Sequence, residues 1–148
     1  HGDTRVTCAA SEVLAHRTGF CYAKSHLLAA LLRASGIPAG FCYQRLLVDA
    51  AGGPYCLHGL NAVYLSNHGW YRIDARGNNP GVHARFAPPH EHLAFAADAP
   101  GEATFPEIHP HPLPQVLAAL RRHATVAAVA ANLPDAERIS HASLAKSR

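Results

Sequence analysis

The segment from residue 21 to residue 35 constrains the fold more than any other part of the chain, because it predicts a helix with a fixed end. Its apolar residues recur every three or four positions, which indicates a helix that is buried on much of its circumference. Gly36 is a natural left-handed cap, and Pro38 prevents the helix from continuing. The chain must therefore leave the helix near Ser35.

Three strand-forming segments follow this helix. They span residues 40–48, 56–65 and 70–75, with the turn-forming sequences DAAGGP and SNHG between them. Short turns join neighbouring antiparallel strands, so we expect an antiparallel β-meander. A further helix is predicted before the first one, over residues 8–16, with Thr7 as its N-cap.

Residues 76–114 have a different character, because they hold eight of the eleven prolines of the chain and little periodicity. We expect an ordered wrap there, with room for one short helix. A helix is predicted over residues 115–123, followed by a second short one. The segments together predict a single α+β domain over residues 1–134, with its N-terminal helices packed on the meander, and a mobile polar tail over residues 135–148.

Composition excludes several classes of protein. A chain of 148 residues that is 49% hydrophobic is long enough for one domain with a real core. Its net charge of +3 is not concentrated in a basic stripe, so we expect no nucleic-acid partner. No apolar run approaches the roughly 20 residues that cross a bilayer, so we expect no membrane partner. The chain lacks methionine and begins at His1, and we expect its natural start to lie upstream.

The cysteines suggest a reducing compartment. Cys8, Cys21, Cys42 and Cys56 include no C-x-x-C pair, which argues against a zinc ribbon or a thioredoxin motif. A domain of this size folds without disulfides. We therefore expect reduced thiols and a cytoplasmic protein.

Three residues on these predicted elements could together form the active site of an enzyme with a thiol nucleophile. Cys21 stands at the start of the helix, His58 lies early in the second strand, and Asp74 ends the third. The N–H groups of a helix N-terminus and a neighbouring imidazolium both stabilise a thiolate. A carboxylate fixes the histidine tautomer, and the N–H of Cys21 can donate to an oxyanion. We interpret the three as nucleophile, base and orienting carboxylate.

The strand register decides whether His58 and Asp74 share a face. If Leu60 faces Asp74, His58 and Asp74 are diagonal neighbours about 7–8 Å apart, which long polar side chains can bridge. This pairing requires a hairpin loop of odd length, as residues 65–69 would supply, whereas an even loop would require a bulge. We expect the odd loop or a bulge.

These motifs resemble the core of the transglutaminase-like superfamily. The resemblance lies in SEVLAHRTGFCYAKSHLLAALLRASGIPAGFCY, LHGLNAVYL and GWYRIDARGN, within residues 10–79. It implies a papain-like fold in which Cys21, His58 and Asp74 form a catalytic triad. It also implies attack on a peptide or protein amide, a thioester intermediate, and transfer of the acyl group to water or a primary amine, without a cofactor or a metal. A cysteine peptidase or amidase is the leading interpretation.

Three residues near the nucleophile are candidate supporting residues. Gly19 would let a substrate chain approach Cys21 closely. Lys24 lies one turn after Cys21 and either raises the local positive potential or, as we favour, extends into solvent. Asn78 either supports the site or, as we favour, forms a turn.

Two strand residues are weaker candidates. Arg45 would share the face of His58 if the first hairpin pairs these two residues, and it could then bind a substrate carboxylate, although a solvated arginine is the favoured interpretation. Trp70 and Tyr71 point to opposite faces of the sheet, and we expect one of them to pack in the core.

Other functions remain open at this point. The alternatives are a protein-glutamine transamidase and a non-catalytic binding module with the same fold. A metal-binding protein that uses His90-Glu91-His92 and His109-Pro110-His111 is the weakest, because these pairs match no known zinc spacing.

Overall fold

The structure is a computed structural model, and it describes residues 4–139. This described part of the chain contains four helices and six strands. In chain order they are α1 (Ala10–His16), α2 (Cys21–Ala34), β1 (Ala39–Leu47), β2 (Tyr55–Leu65), β3 (Gly69–Ile73), β4 (Arg85–Ala87), β5 (His90–His92), β6 (Ala103–Thr104), α3 (Pro114–Arg122) and α4 (Val126–Ala130). The predicted α+β class is confirmed.

The main sheet has the strand order β3-β2-β1-β6, and all of its neighbouring strands are antiparallel. Strands β1, β2 and β3 form the predicted meander, and β4 and β5 form a separate hairpin. Within residues 4–139, no helix combines the length and the apolar character that crossing a membrane requires.

Helix α2 ends as its sequence predicts. Gly36 has a φ of 73°, and the N–H of Ile37 donates to the carbonyl of Leu32 at 2.9 Å, so the left-handed glycine closes the helix. The buried side of α2 carries Tyr22, Ala23, Ser25, His26 and Ala29. Leu31 is 51% exposed, so the buried stripe is narrower than the leucine content predicts.

The start of α1 differs from the prediction. The helix begins at Ala10 with Ala9 as its N-cap, whereas the predicted N-cap, Thr7, donates its hydroxyl to the carbonyl of Thr18 at 2.9 Å. Glu12 completes the helix start instead, because its carboxylate accepts the N–H groups of Cys8 and Ala9.

The proline-rich wrap contains strands rather than a helix. The stretch 76–113, which the structure describes in full, holds β4, β5 and β6 and no helix. Prolines lack the backbone N–H that a helix interior needs, whereas short edge strands tolerate them. Pro114 lies at the first position of α3, where that loss is harmless.

Packing continues past the predicted domain boundary at residue 134. The Arg45 guanidinium makes two hydrogen bonds of 2.7 Å to the carboxylate of Asp135, and Ile139 is 6% exposed within the main core cluster. The described part of the predicted tail, residues 135–139, therefore packs on the domain. Residues 140–148 lie outside the described residues.

Candidate functional site

The Cys21 thiol lies at the N-terminal end of α2. Phe20 is the N-cap, so the backbone N–H of Cys21 belongs to the first turn, which has no preceding carbonyl within the helix to pair with. The side chain of Cys21 is partly buried. The Ser25 hydroxyl donates to the carbonyl of Cys21 at 2.8 Å, one turn further along. The thiol therefore lies where the positive end of the helix dipole favours an anion.

A close approach between α2 and β2 places this thiol beside the sheet. Strand β3 ends at Ile73, opposite Asn61, so the part of β2 before Asn61 has an edge that β3 leaves open. At that edge the N–H of Gly59 points to the Cys21 sulfur, at 3.5 Å. A Cβ at residue 59 would lie 2.9 Å from Cδ1 and 3.3 Å from Cα of Tyr22, so only glycine admits the helix this closely.

Two buried hydrogen bonds lock the helix onto the strand. The Tyr22 hydroxyl donates to the carbonyl of Leu57, and the Asn61 amide donates to the carbonyl of Ser25 at 3.0 Å. Both donors are almost fully buried, and loss of the Tyr22 bond would leave an unpaired hydroxyl in the core. These bonds set the position of Cys21 relative to the residues on β2.

The register of the second hairpin is the predicted one. Leu65 pairs with Gly69, so the loop consists of Ser66, Asn67 and His68 and has an odd length. Continuing the observed pairing of Asn61 with Ile73 by one step places Asp74 opposite Leu60. His58 and Asp74 thus share a face of the sheet, and Nε2 of His58 donates to Oδ2 of Asp74 at 2.8 Å.

The environment of His58 favours its protonated form. Burial lowers the pKa of His58, but the hydrogen bonds to Asp74 and to the Cys21 thiol outweigh it and raise the pKa from 6.5 to about 9. Because Nε2 contacts Asp74, Nδ1 is the ring nitrogen that is left to the thiol. The structure therefore brings Cys21, His58 and Asp74 together in the predicted order.

Asp74 is held as a carboxylate. Burial raises its pKa, but the hydrogen bond from His58 and the nearby imidazolium charge reverse this effect and lower it, with help from two backbone N–H groups. These are the N–H of Arg76, 3.0 Å from Oδ1, and the N–H of Ala94, 3.2 Å from Oδ2. The side chain of Asp74 has no exposed surface.

A segment of the proline-rich wrap covers this pair, and the sequence analysis did not assign it to the site. The Phe95 ring packs edge-on against the His58 ring, with centroids 5.0 Å apart. The amide of Gln44, a fully buried residue opposite His58 on β1, donates to the carbonyl of Phe95 at 3.0 Å. A polar residue within an apolar strand was a signal for Gln44, and a glycine within a strand was one for Gly59. Phe95 gave no signal, because its partners are distant in sequence.

A cleft of about 480 Å³ opens at Cys21 and His58. Most of its wall is apolar, and besides His58 its charged residues are Arg76, Asp98 and Glu102. A concave, mainly apolar space with a few convergent polar groups is the usual form of a substrate site. The larger apolar side chains in the wall are those of Phe20, Leu46, Leu47, Val48, Leu57, Phe95 and Leu133.

Gly19 and Lys24 lie near the site, and both make contacts within the protein. A Cβ at residue 19 would lie 3.1 Å from Thr7 Oγ1 and from the Ala23 side chain, so Gly19 serves internal packing and not the predicted approach of a substrate. The Lys24 ammonium donates to the carbonyl of Arg76 at 3.0 Å, so it does not extend freely into solvent as predicted. This bond ties α2 to the loop that carries Asp74.

The other three supporting candidates have partners other than Cys21, His58 and Asp74. Arg45 pairs with Leu57, not with His58, so it lies on the other face of the sheet, where it binds Asp135. Trp70 stacks edge-on against Tyr64 at 5.5 Å, at the far end of the hairpin. Both polar side-chain atoms of Asn78 bond the backbone of Ala84 at 2.8 Å, which is the expected turn role. As predicted, one of the pair Trp70 and Tyr71 is a core residue, and it is Tyr71.

The histidine pairs do not build a metal site in the described part of the chain. His90 and His92 lie on β5, whereas His109 is buried in a bridge to Phe41 on β1. Among residues 4–139 no group of three or more His, Cys, Asp or Glu side chains is close enough to hold a metal ion.

Comparison with known proteins identifies a family for this chain. The sequence model of the transglutaminase-like superfamily matches residues 2–75, half of the chain, and this range contains Cys21, His58 and Asp74. That superfamily is a generally enzymatic one of cysteine-dependent acyl transfer. No curated protein and no solved structure matches the chain.

Proposed function

We propose that this chain, which belongs to the transglutaminase-like superfamily, catalyses thiol-dependent acyl transfer at amide bonds. Cys21 is the nucleophile, His58 is the base and Asp74 orients the imidazole, in a papain-like arrangement. The observation that carries this proposal is the His58 ring, which has Asp74 at 2.8 Å on one side and the Cys21 thiol on the other. The chemistry requires a reduced thiol, so we also propose a reducing compartment such as the cytoplasm.

The first half of the reaction forms a thioester. His58 takes the proton of the Cys21 thiol, and the thiolate attacks the carbonyl carbon of the amide. The electron pair of the C=O bond moves to the oxygen, which accepts the N–H of Cys21. The pair then returns, the C–N bond breaks, and the leaving amine takes the proton from His58.

The second half releases the acid. Water enters the cleft, loses a proton to His58 and attacks the thioester carbon. The C–S bond breaks, and His58 returns the proton to the sulfur. The net reaction is amide plus water to acid plus amine. A primary amine in place of water would give a new amide, so the expected substrate is a peptide or protein amide, and product analysis with and without added amine separates hydrolysis from transamidation.

The experiment is competitive alkylation of the native protein by limiting iodoacetamide at about pH 6, with the label mapped by mass spectrometry. Cys8, Cys42 and Cys56 are internal controls, because burial raises the pKa of each of these thiols, to about 12 for Cys42 and about 11 for Cys56. We expect Cys21 to react at least about tenfold faster than any of them.

Two variants separate an activated thiol from a merely accessible one. His58→Ala removes the imidazolium and should abolish the preference for Cys21. His68→Ala makes the same change in the exposed hairpin loop and should retain it. Labelling that does not favour Cys21, or that is indifferent to His58→Ala, would overturn the proposal.

A further inference from the structure

The cleft beside Cys21 contains one arginine in a mostly apolar wall. Arg76 is the only Lys or Arg residue among the described residues that line it. Aliphatic side chains, including those of Leu46, Val48 and Leu133, form much of the rest. Val48 is 53% exposed, so this apolar surface is open to a ligand. The cleft therefore offers a positive charge next to an aliphatic surface.

The backbone of Arg76 is held firmly on two sides. Its N–H donates to Oδ1 of Asp74 at 3.0 Å, and its carbonyl accepts the ammonium of Lys24 at 3.0 Å. The guanidinium carbon lies 5.3 Å from the centroid of the Phe95 ring, and that ring packs on His58. The arginine head is thus placed one aromatic ring away from the reacting histidine.

The charge of Arg76 has no carboxylate partner in the described part of the chain. No acidic side chain among residues 4–139 lies within ion-pair distance of its guanidinium, whose NH1 makes a long contact of 3.5 Å to the carbonyl of Gly77. Glu102 lines the same cleft, but its two oxygens accept the N–H groups of Leu47 and Ala99. Asp98 is exposed to solvent. An arginine head presents parallel N–H donors that match a carboxylate, and these donors remain available.

We propose that Arg76 determines specificity by binding a carboxylate of the substrate, so that the preferred amides are anionic and carry an aliphatic segment beside the charge. This inference rests on the function proposed above. Arg76 acts on binding and takes no part in proton transfer, which His58 performs.

The experiment compares two reagents of nearly equal size that differ by one negative charge. Iodoacetate is an anion and iodoacetamide is neutral, and both alkylate a thiolate. The ratio of their rates at Cys21 is measured in the wild type and in Arg76→Gln, Arg76→Lys and Arg85→Gln. Arg85→Gln is the matched control, because Arg85 is an exposed residue of β4 and its loss changes the net charge by the same amount.

We expect the iodoacetate-to-iodoacetamide ratio to fall about fivefold in Arg76→Gln, because the loss of one nearby positive charge weakens the attraction of the anion. Arg76→Lys should keep most of the ratio, and Arg85→Gln should keep all of it. Two peptides that differ only in ending in a carboxylate or a carboxamide then test the proposed substrate class directly. The carboxylate peptide should protect Cys21 from alkylation better than the carboxamide peptide in the wild type, and this difference should disappear in Arg76→Gln.

The outcomes separate this inference from the proposed function. Selective labelling of Cys21 with a ratio that Arg76→Gln leaves unchanged would overturn the role of Arg76 and keep the thiol chemistry. Unselective labelling in the wild type would overturn both. If the iodoacetate-to-iodoacetamide ratio fell equally in Arg76→Gln and Arg85→Gln, the net charge of the protein alone would explain the preference for the anion. That result would also overturn the role of Arg76.

Discussion

At the residue scale, the His58 ring links the thiol to the carboxylate. Its Nε2 atom donates to a fully buried Asp74 oxygen, and the Cys21 thiol lies on its other side. Two backbone N–H groups also point to the Asp74 oxygens, so the carboxylate is satisfied without solvent. The contacts that hold His58 in its charged form should therefore contribute to folding stability.

The pH dependence of stability tests this coupling. The pKa of His58 is raised from 6.5 to about 9, so between these values the native state holds a proton that the unfolded chain releases. The contribution of His58 should be full below pH 6.5 and disappear as the pH rises through about 9. The Asp74 carboxylate should stabilise the native state above pH 3.8, because its pKa is lowered from that value on folding. This stabilisation should be lost as the pH falls below 3.8 through the lowered pKa of the native state.

The measurement is the free energy of unfolding in urea for the wild type and His58→Gln, from about pH 5 to about pH 10. We expect the difference between the two proteins to shrink between neutral and alkaline pH. His68→Gln, in the exposed loop, should show no such trend. A difference that stays constant across this range would contradict a stabilising charged His58.

At the element scale, the distance between α2 and β2 is the critical dimension. Gly59 has no side chain, so the first turn of α2 packs directly on the strand, and its N–H reaches the Cys21 sulfur. Tyr22 and Asn61 then bond across the same interface. Cys21 and His58 lie on different elements, and these contacts between α2 and β2 bring them together.

Gly59→Ala should therefore affect both stability and reactivity. The added methyl group would lie 2.9 Å from the buried Tyr22 ring, and we expect a loss of about 1–3 kcal/mol in the free energy of unfolding. The displaced helix should also slow alkylation of Cys21. Gly53→Ala is the control, because its Cβ would lie at an ordinary 3.7 Å from Asp49. An unchanged labelling rate in a destabilised Gly59→Ala would show that thiol activation does not depend on this contact.

At the scale of the whole molecule, distant parts of the chain close the cleft. Leu133 lines it, and the carbonyl of the next residue, Pro134, accepts the N–H of Leu57 on β2 at 2.8 Å. Asp135 binds Arg45, and Ile139 packs in the main core cluster. The segment 133–139 is thus part of the domain, although its sequence is polar and unpatterned.

Ile139→Ala should reveal this contribution. Removing a buried isoleucine side chain should lower the free energy of unfolding by about 2–5 kcal/mol, through lost burial and the cavity left behind. Ile37→Ala makes the same change at a residue that is 37% exposed and should have a much smaller effect. Equal effects in the two variants would show that segment 133–139 does not stabilise the core.

Patterns of neighbouring residues were enough to predict the elements that position Cys21, His58 and Asp74. Gly36 and Pro38 end α2, and the odd hairpin loop sets the register of β2 and β3. They were not enough for the first hairpin, where Gln44 and not Arg45 faces His58, because its long glycine-rich turn does not specify a register. Nor did they identify the role of Lys24, whose partner lies fifty-two residues away.

The sequence by itself determined the helix α2 and the meander β1–β3, which bring Cys21, His58 and Asp74 into the chain order of the site, because helix ends, turns and side-chain alternation depend on neighbouring residues. Only the tertiary structure decided what surrounds those groups. Phe95 and Ala94 cover the His58–Asp74 pair, Gln44 anchors that cover, and Arg76 lines the cleft together with Asp98 and Glu102. These contacts join residues that are distant in sequence, and their energy comes from burial and charge in a shared space that no local pattern encodes.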